Sequence, residues 1–223
     1  MSQQNTLLIE LQYLGSIEYF AQLLHYPHVI LEQHEYFERS TLRNRAYIAT
    51  SNNIFSLAVP LQHGRQQRCS VKEVRISYSY AWQRQQWHSL EAAYRSSPFF
   101  EYFEDYFRPF YEKRYTFLWD YNYELLQIML GILKLNLHIE HTTEYHKDYT
   151  QINPQIVDYR SKCCRKIPFQ PTNTTYTPPI YHQVFNNIYP FAPNLSMVDL
   201  LFNTGMGAVQ LLKESISAEI VKW

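Results

Sequence analysis

The sequence predicts an α/β protein with a Rossmann-like N-terminal βαβ core and a largely helical second half. Two short apolar runs, residues 7–11 and 28–31, flank a stretch in which Ile17, Phe20, Ala21 and Leu24 recur at helix spacing. Three longer segments of helical period then follow one another between residues 81 and 135. Polar turns separate these segments, so each is bounded by its own stop signal.

Residues 7–11 suit a buried strand, Tyr13-Leu14-Gly15 a turn, and Ser16 the N-cap of the first helix. Residues 28–31 supply the second strand. A right-handed crossover makes the two strands parallel and puts both strand ends on one side, where open α/β sheets gather ligands, which would bring residues 13–16 and 33–36 close together. Residues 46–49 and 55–60 predict a hairpin around Ser51-Asn52-Asn53. Residues 61–70, with His63, Arg65 and Arg68 beside Gly64, predict a mobile surface loop, and residues 71–76 one more strand.

Helices are predicted over 81–94, stopped by Ser97-Pro98, over 101–111 and over 116–135. Trp82 and Trp87 are expected in the core, and Arg108 in an ion pair with Asp105. Residues 140–179 turn polar and predict an irregular excursion with one short strand at its start. Residues 195–213 predict a pair of helical turns or one helix interrupted at Gly205 and Gly207. The expectation is one domain over 1–223: an α/β core (1–80), a helical part (81–137), the excursion (138–194) and a C-terminal helix (195–223). No internal repeat or low-complexity block stands out.

Hydrophobic residues at 46% supply a core, and 17% aromatics with 20 Tyr exceed what a core uses, so some should line a surface or cleft. Twenty Lys+Arg against twenty Asp+Glu leave no net field, which argues against nucleic acid or an anionic membrane as partner. Cys69, Cys163 and Cys164 indicate neither a disulfide framework nor a zinc site. The first ten residues lack the pattern of a signal peptide, and the longest apolar run, around 125–137, is broken by Gln127, Lys134 and Asn136 and is too short for a bilayer. The expected setting is soluble and cytoplasmic, with no membrane span.

The segment 32–45 packs acids, bases, amides and an imidazole where a plain turn needs a few small polar residues. His34 between Gln33 and Glu35 suggests a base near neutral pH, against the plainer role of a histidine bonded to backbone at a strand end. Glu32 and Glu35 form a possible acid/base pair. Arg43 and Arg45, two apart, share a face if extended and would hold one anion between them, with Asn44 reading a polar group. Salt bridges to Glu32, Glu35 and Glu38 are the plainer alternative. Tyr13, Leu14, Gly15 and Ser16 have the form of a strand-to-helix turn that binds anions through backbone N–H groups, though one glycine is far from a nucleotide fingerprint. Tyr36 belongs to the same strand end; Arg95 and Ser96 could reach a ligand from a helix end. Asp199 and Asn203, four apart on one helix face, would complete the pocket. No serine-hydrolase elbow or zinc-peptidase spacing is present.

Taken in order, several segments resemble the WbqC-like family, in particular its Bacteroidetes-type form. They are Tyr13-Leu14-Gly15-Ser16-Ile17-Glu18-Tyr19-Phe20, Glu32-Gln33-His34-Glu35-Tyr36-Phe37, Arg43-Asn44-Arg45, Trp82-Gln83-Arg84, Glu91-Ala92-Ala93-Tyr94-Arg95-Ser96-Ser97-Pro98-Phe99-Phe100, Phe107-Arg108-Pro109-Phe110-Tyr111 and Pro193-Asn194-Leu195-Ser196-Met197-Val198-Asp199-Leu200-Leu201-Phe202-Asn203. The chain departs from that pattern at Gly15-Ser16, where a proline is usual, at Leu42 in place of tyrosine, and at Ala46 in place of cysteine, which argues against a thiol nucleophile there. The resemblance implies a part in making or modifying surface polysaccharide of the O-antigen type. It suggests a transferase on a phosphorylated, nucleotide-linked or lipid-linked sugar, with an anionic substrate against Arg43 and Arg45, His34 or Glu35 as base, and Gln33, Tyr36 and Asn44 around it. A non-catalytic component that binds a glycan or partner protein through its surplus aromatics is the alternative. No cofactor or metal is specified.

Overall fold

A computed structural model describes residues 6–62, 69–149, 151–160, 162 and 176–216. In chain order its elements are β1 (Thr6–Glu10), α1 (Ile17–His25), β2 (His28–Glu32), β3 (Arg45–Thr50), β4 (Asn53–Ala58), α2 (Trp82–Tyr94), α3 (Phe100–Glu112), α4 (Leu118–Leu133), β5 (His138–His141), β6 (Ile156–Asp158), α5 (Met197–Thr204) and α6 (Ala208–Glu214). The protein is a mixed α/β structure built on a parallel sheet of four strands.

Leu7, Leu8 and Ile9 on successive positions are all solvent-inaccessible, because β1 is covered on both faces, as interior strands of parallel sheets are. β1 pairs in parallel with β2 through α1, in a register that sets Thr6 against His28 and Glu10 against Glu32. β2 pairs with β5 and β1 with β6, all parallel, in the order β5-β2-β1-β6. The chain thus steps from β1 to β2 to β5 in one direction and then returns to the far side of β1. That reversal opens a crevice at the carboxyl ends of β1 and β6, the usual ligand position in open α/β sheets. β3 and β4 form the separate antiparallel hairpin that the sequence predicts, Arg45 opposite Ala58 and Thr50 opposite Asn53.

Helices α2 to α4 pack aromatic side chains together. Trp82 and Trp87 are buried, Trp87 against Phe100 and Tyr111, and Phe202 of α5 against Tyr94, Phe100 and Phe107. Burying each such ring removes apolar area worth roughly 1.5–3 kcal/mol. Gly205 ends α5 at φ +57, in the left-handed region, where a Cβ would also lie 2.8 Å from the Phe99 ring. The helix interruption predicted at Gly205 and Gly207 is present as a 3₁₀ turn between α5 and α6.

The two helices that start with serine meet head to head. Residues 13–16 and 193–196 adopt the same turn: Leu14 at φ +44 and Asn194 at φ +55, followed two residues on by the extended N-caps Ser16 and Ser196. The Ile17 N–H donates to Leu195 O at 2.9 Å and the Met197 N–H to Gly15 O at 2.8 Å, a reciprocal pair across an antiparallel bridge of Ser16 and Ser196. Ser16 Oγ accepts from Tyr19 N, and Ser196 Oγ accepts from Val198 N while donating to Leu14 O at 2.5 Å. Asn194 completes the clasp, its Oδ1 accepting from Glu18 N and its Nδ2 donating to the Glu18 carboxylate. The first orphan N–H groups of α1 are therefore satisfied by the C-terminal segment.

Three expectations are corrected. Residues 71–76 are not a strand: Ser70 Oγ caps a 3₁₀ turn, Val71–Glu73, and only Arg75 and Ile76 make single β-bridges beyond it. The excursion at 138–194 carries β6 as well as the strand at its start, and β6 is an integral sheet strand. The turns before α1 and α5 share a positive φ and a serine cap, which is local and does not amount to an internal repeat. Arg108, in addition, pairs with Glu112 one turn on rather than with Asp105. The predicted loop at 61–70 falls mostly on residues 63–68, which lie outside the described residues, as do Cys163 and Cys164; Cys69 is partly buried.

Ser196→Ala removes both the cap on α5 and the bond to Leu14 O, and should lower stability by about 1–2 kcal/mol in urea unfolding. A variant as stable as the wild type would show that the clasp contributes little.

Candidate functional site

The strand ends at the crevice are acidic. Glu10 and Glu32, last residues of β1 and β2, stand opposite each other in register, and both are fully buried. A carboxylate at such depth persists only where donors surround it. Glu10 Oε1 accepts from Gln12 Nε2 at 3.1 Å, and Gln12 Oε1 accepts in turn from Ser16 N, which links β1 to the clasp. Glu32 Oε1 accepts from His34 N at 2.8 Å and from Thr142 Oγ1 at 2.9 Å; its Oε2 accepts from Arg160 Nη1 at 3.0 Å.

Arg160, two residues beyond β6, reaches across the end of β1 to make that contact. It also donates from Nη2 to Asp158 at 2.6 Å and to the Lys147 carbonyl, and from Nη1 to the His146 carbonyl. Its guanidinium lies over the rings of Tyr149, 4.9 Å away, and Tyr145, 5.4 Å away. Arg160 thereby pins the polar segment after β5 onto the sheet.

Glu35 is held by a two-pronged bond from Arg43, with Nε and Nη2 each 2.7 Å from a carboxylate oxygen. Asn122 of α4 fixes the Arg43 carbonyl at 2.7 Å. Burial raises the Glu35 pKa above the ordinary carboxylate range; the Arg43 fork works against this, and the charges of Glu10 and Glu32 add to it. Glu35 forms part of the wall of an open cleft of about 620 Å³ whose other polar lining is Tyr145, Lys147, Asp158, Arg160 and Lys162. A carboxyl of raised proton affinity facing a cleft with two lysines can exchange a proton with a ligand beside an anion.

Of the residues expected from sequence, Glu32, Gln33, His34, Glu35 and Arg43 come to this strand end, with Tyr36 strongly exposed at its mouth. Gln33 is anchored to Thr142 through its N–H and its Nε2, the latter 2.6 Å from Thr142 O. His34 is half-buried with its ring beside Gln33 Nε2, and the Glu35 carboxylate beside it in sequence goes to Arg43 instead. Arg43 and Arg45 do not share an anion. Arg43 sits in the turn before β3 and faces Glu35, whereas Arg45 borders a separate small cavity among Tyr13, Tyr47 and Ser196. Asn44 turns to the hairpin, its Nδ2 donating to Val59 O.

Tyr13 is buried among helices, its hydroxyl bonded to Gln86 at 2.6 Å and Tyr111 at 2.9 Å. Ser16 and the N–H groups after it are spent on the clasp, which overturns the anion-binding turn. Arg95 and Ser96 are exposed at the end of α2, Arg95 paired with Glu91. Asp199 lies inside the core: Tyr94 and Tyr181 hydroxyls donate to its two oxygens at 2.6 and 2.5 Å, and Asn203 Nδ2 returns to its backbone carbonyl. Asp199 and Asn203 are therefore internal supports of α5 rather than pocket walls.

Glu10, Gln12, Thr142, Asp158 and Arg160 were missed by sequence reasoning, as were Tyr145, Lys147 and Lys162. Glu10 had a signal: a charged residue closing an apolar strand in phase with Glu32. Gln12 lies in the turn after β1, and the others lie in the polar excursion, where nothing local marks which side chains turn inward.

Fold and site together define an α/β protein with a polar crevice at its strand-order reversal, an arrangement suited to a small ligand. The chain belongs to the WbqC-like protein family, whose model matches residues 12–211. No curated protein and no solved structure matches it. Among the described residues no helix is long and apolar enough to cross a membrane, and no group of three or more His, Cys, Asp and Glu side chains is placed to hold a metal ion.

Burial raises the Asp199 pKa from its ordinary 3.8 to about 6, against the opposing bonds from Tyr181, Tyr94 and Gln183. The native state then binds more protons than the unfolded one between about pH 4 and 6, and this contribution to stability is lost as pH rises through that window. At about 1.4 kcal/mol per tenfold change in proton affinity, the loss approaches about 3 kcal/mol. Urea unfolding at pH 4 and pH 7 should show wild type losing ground relative to Asp199→Asn as pH rises; an unchanging difference would refute the buried, proton-binding carboxyl.

Proposed function

We propose that this WbqC-like protein is a transferase acting on a phosphate-bearing sugar in the making or modification of surface polysaccharide, with Glu35 as its acid/base group. The observation that carries this reading is the position of Glu35: a carboxyl of raised pKa, fixed by Arg43, in the wall of a cleft that also presents Lys147 and Lys162. Glu35 is preferred to His34 because it lines the cleft, and Arg43 acts by orienting it. The phosphate is assigned to the two lysines in place of Arg43 and Arg45.

In the reaction the acceptor O–H gives its proton to the Glu35 carboxylate as the oxygen bonds to the reacting carbon of the donor. The bond from that carbon to the phosphate oxygen breaks, and its electron pair leaves with the phosphate, whose added charge the lysines offset. The polysaccharide setting is what the resemblance to the WbqC-like family implies, and membership of that family supports it. A glycan- or protein-binding component without turnover is the second reading, favoured by Tyr102 and Tyr106, exposed one turn apart on α3.

The test is transfer from nucleotide-linked and polyprenyl-phosphate-linked sugars to a hydroxyl acceptor. Glu35→Gln should lower turnover about 10²–10⁴-fold with unchanged circular dichroism. Because burial raises the Glu35 pKa, the acidic limb of the wild-type rate should fall above the ordinary carboxylate range, and it should vanish with the substitution. Full activity in Glu35→Gln would contradict the assignment, and absence of any turnover with intact glycan binding would favour the second reading.

A further inference from the structure

We propose that the cleft beside β6 takes its donor as a nucleotide, with the base stacked on Tyr145 and the phosphates on Lys147 and Lys162. The inference rests on the transferase reading and narrows its substrate class from phosphate-bearing sugars in general to nucleotide-linked ones.

Tyr145 is half-exposed although it lies in the wall of the cleft, and its ring has the Arg160 guanidinium over it at 5.4 Å. That guanidinium is itself fixed: the Arg160 side chain is 8% exposed and is tied to Glu32, Asp158 and two backbone carbonyls. A ring held by so constrained a partner offers a preorganised stacking surface, which loses little freedom when a flat ligand binds. The cation also draws on the π-system of the ring, as it does for Tyr149. Lys147 and Lys162 are exposed and line the same cleft, whereas Arg160 spends its donors internally, so the lysines are the groups available to a diphosphate. An aromatic platform with lysines in one cleft fits a base joined to phosphates; a polyprenyl phosphate would use the lysines and leave the platform idle.

The test is calorimetric titration of the full chain with uridine and guanosine diphosphates, inorganic pyrophosphate and a short polyprenyl phosphate. The nucleotides should bind more tightly than pyrophosphate. Tyr145→Ala should weaken them roughly ten- to hundredfold while leaving pyrophosphate unchanged, and Tyr145→Phe should retain them. The double variant Lys147→Ala/Lys162→Ala, which alters only exposed side chains, should weaken nucleotides and pyrophosphate alike and flatten the salt dependence. Nucleotides that bind no better than pyrophosphate, or a Tyr145→Ala effect equal on both, would overturn the stacking assignment. Glu35-dependent turnover of a polyprenyl-phosphate sugar without nucleotide binding would sink this inference and leave the transferase standing. Nucleotide binding that Glu35→Gln leaves intact, with no turnover in wild type, would do the reverse.

Discussion

The reciprocal hydrogen bonds between the turn before α1 and the turn before α5 are the constraint on which the rest of the molecule depends. They join backbone groups about 180 residues apart, as the 182-residue separation of Ser196 and Leu14 makes plain. Two helix N-termini pointing at each other would repel through their dipoles unless negative groups stood between them. Here the Gly15 and Leu195 carbonyls and the buried Glu18 carboxylate take that position. Once the clasp is closed, other parts fall into place: Ser196 N donates to Tyr47 O of β3, Tyr13 N to Leu42 O, and the Tyr159 hydroxyl beyond β6 to Glu18. The hairpin, the sheet and the C-terminal helix thus share one anchor.

That anchor has a functional consequence. Because the N–H groups of α1 are consumed structurally, the strand-to-helix turn that would be the ligand cradle in a nucleotide-binding sheet is closed. Polar chemistry has moved instead to the strand ends themselves, where Glu10, Glu32 and Glu35 converge and Arg43 and Arg160 approach from either side. Each buried charge has a partner, and the pairs are asymmetric. Arg160 is shared by Glu32, Asp158 and backbone carbonyls and serves to hold the chain down. Arg43 holds Glu35 through a two-pronged bond, and burial overcomes it in setting the direction of the Glu35 pKa. Glu35 is also the one of the three that lines the cleft.

How much of this could be read from the sequence depended on distance along the chain. The βαβ unit was legible because its signals are local: Leu7 to Ile9 as a run, Ser16 as a cap, Ile17 and Phe20 at helix spacing. The hairpin and the three central helices were legible for the same reason. β6 was not, since three residues carry no periodicity and their strand character comes from pairing with Leu7 and Leu8 far away. Val71, Val74 and Ile76 are indeed buried, but Ser70 caps a turn and overrides the alternation. The Glu32 to Arg45 segment held both Glu35 and Arg43, and the plainer reading of its arginines, a salt bridge to a nearby glutamate, is the one Arg43 follows with Glu35. Asp199 stands out in the sequence with Asn203 as a pair four apart on one helix face; only the Tyr94 and Tyr181 hydroxyls, distant in sequence, turn it into an internal support. Arg160 and Tyr145 were illegible because their roles arise from a side chain crossing the sheet end.

Native-state hydrogen exchange at the Ile17 and Met197 amides measures the clasp most directly, since each amide is one half of the reciprocal pair. If the clasp anchors the fold, both should exchange only through global unfolding, with the same free energy and the same dependence on denaturant as the amides of β1. Exchange at Met197 through a smaller, denaturant-independent opening, with Ile17 still protected, would mean that the C-terminal helix detaches by itself, and would contradict the account.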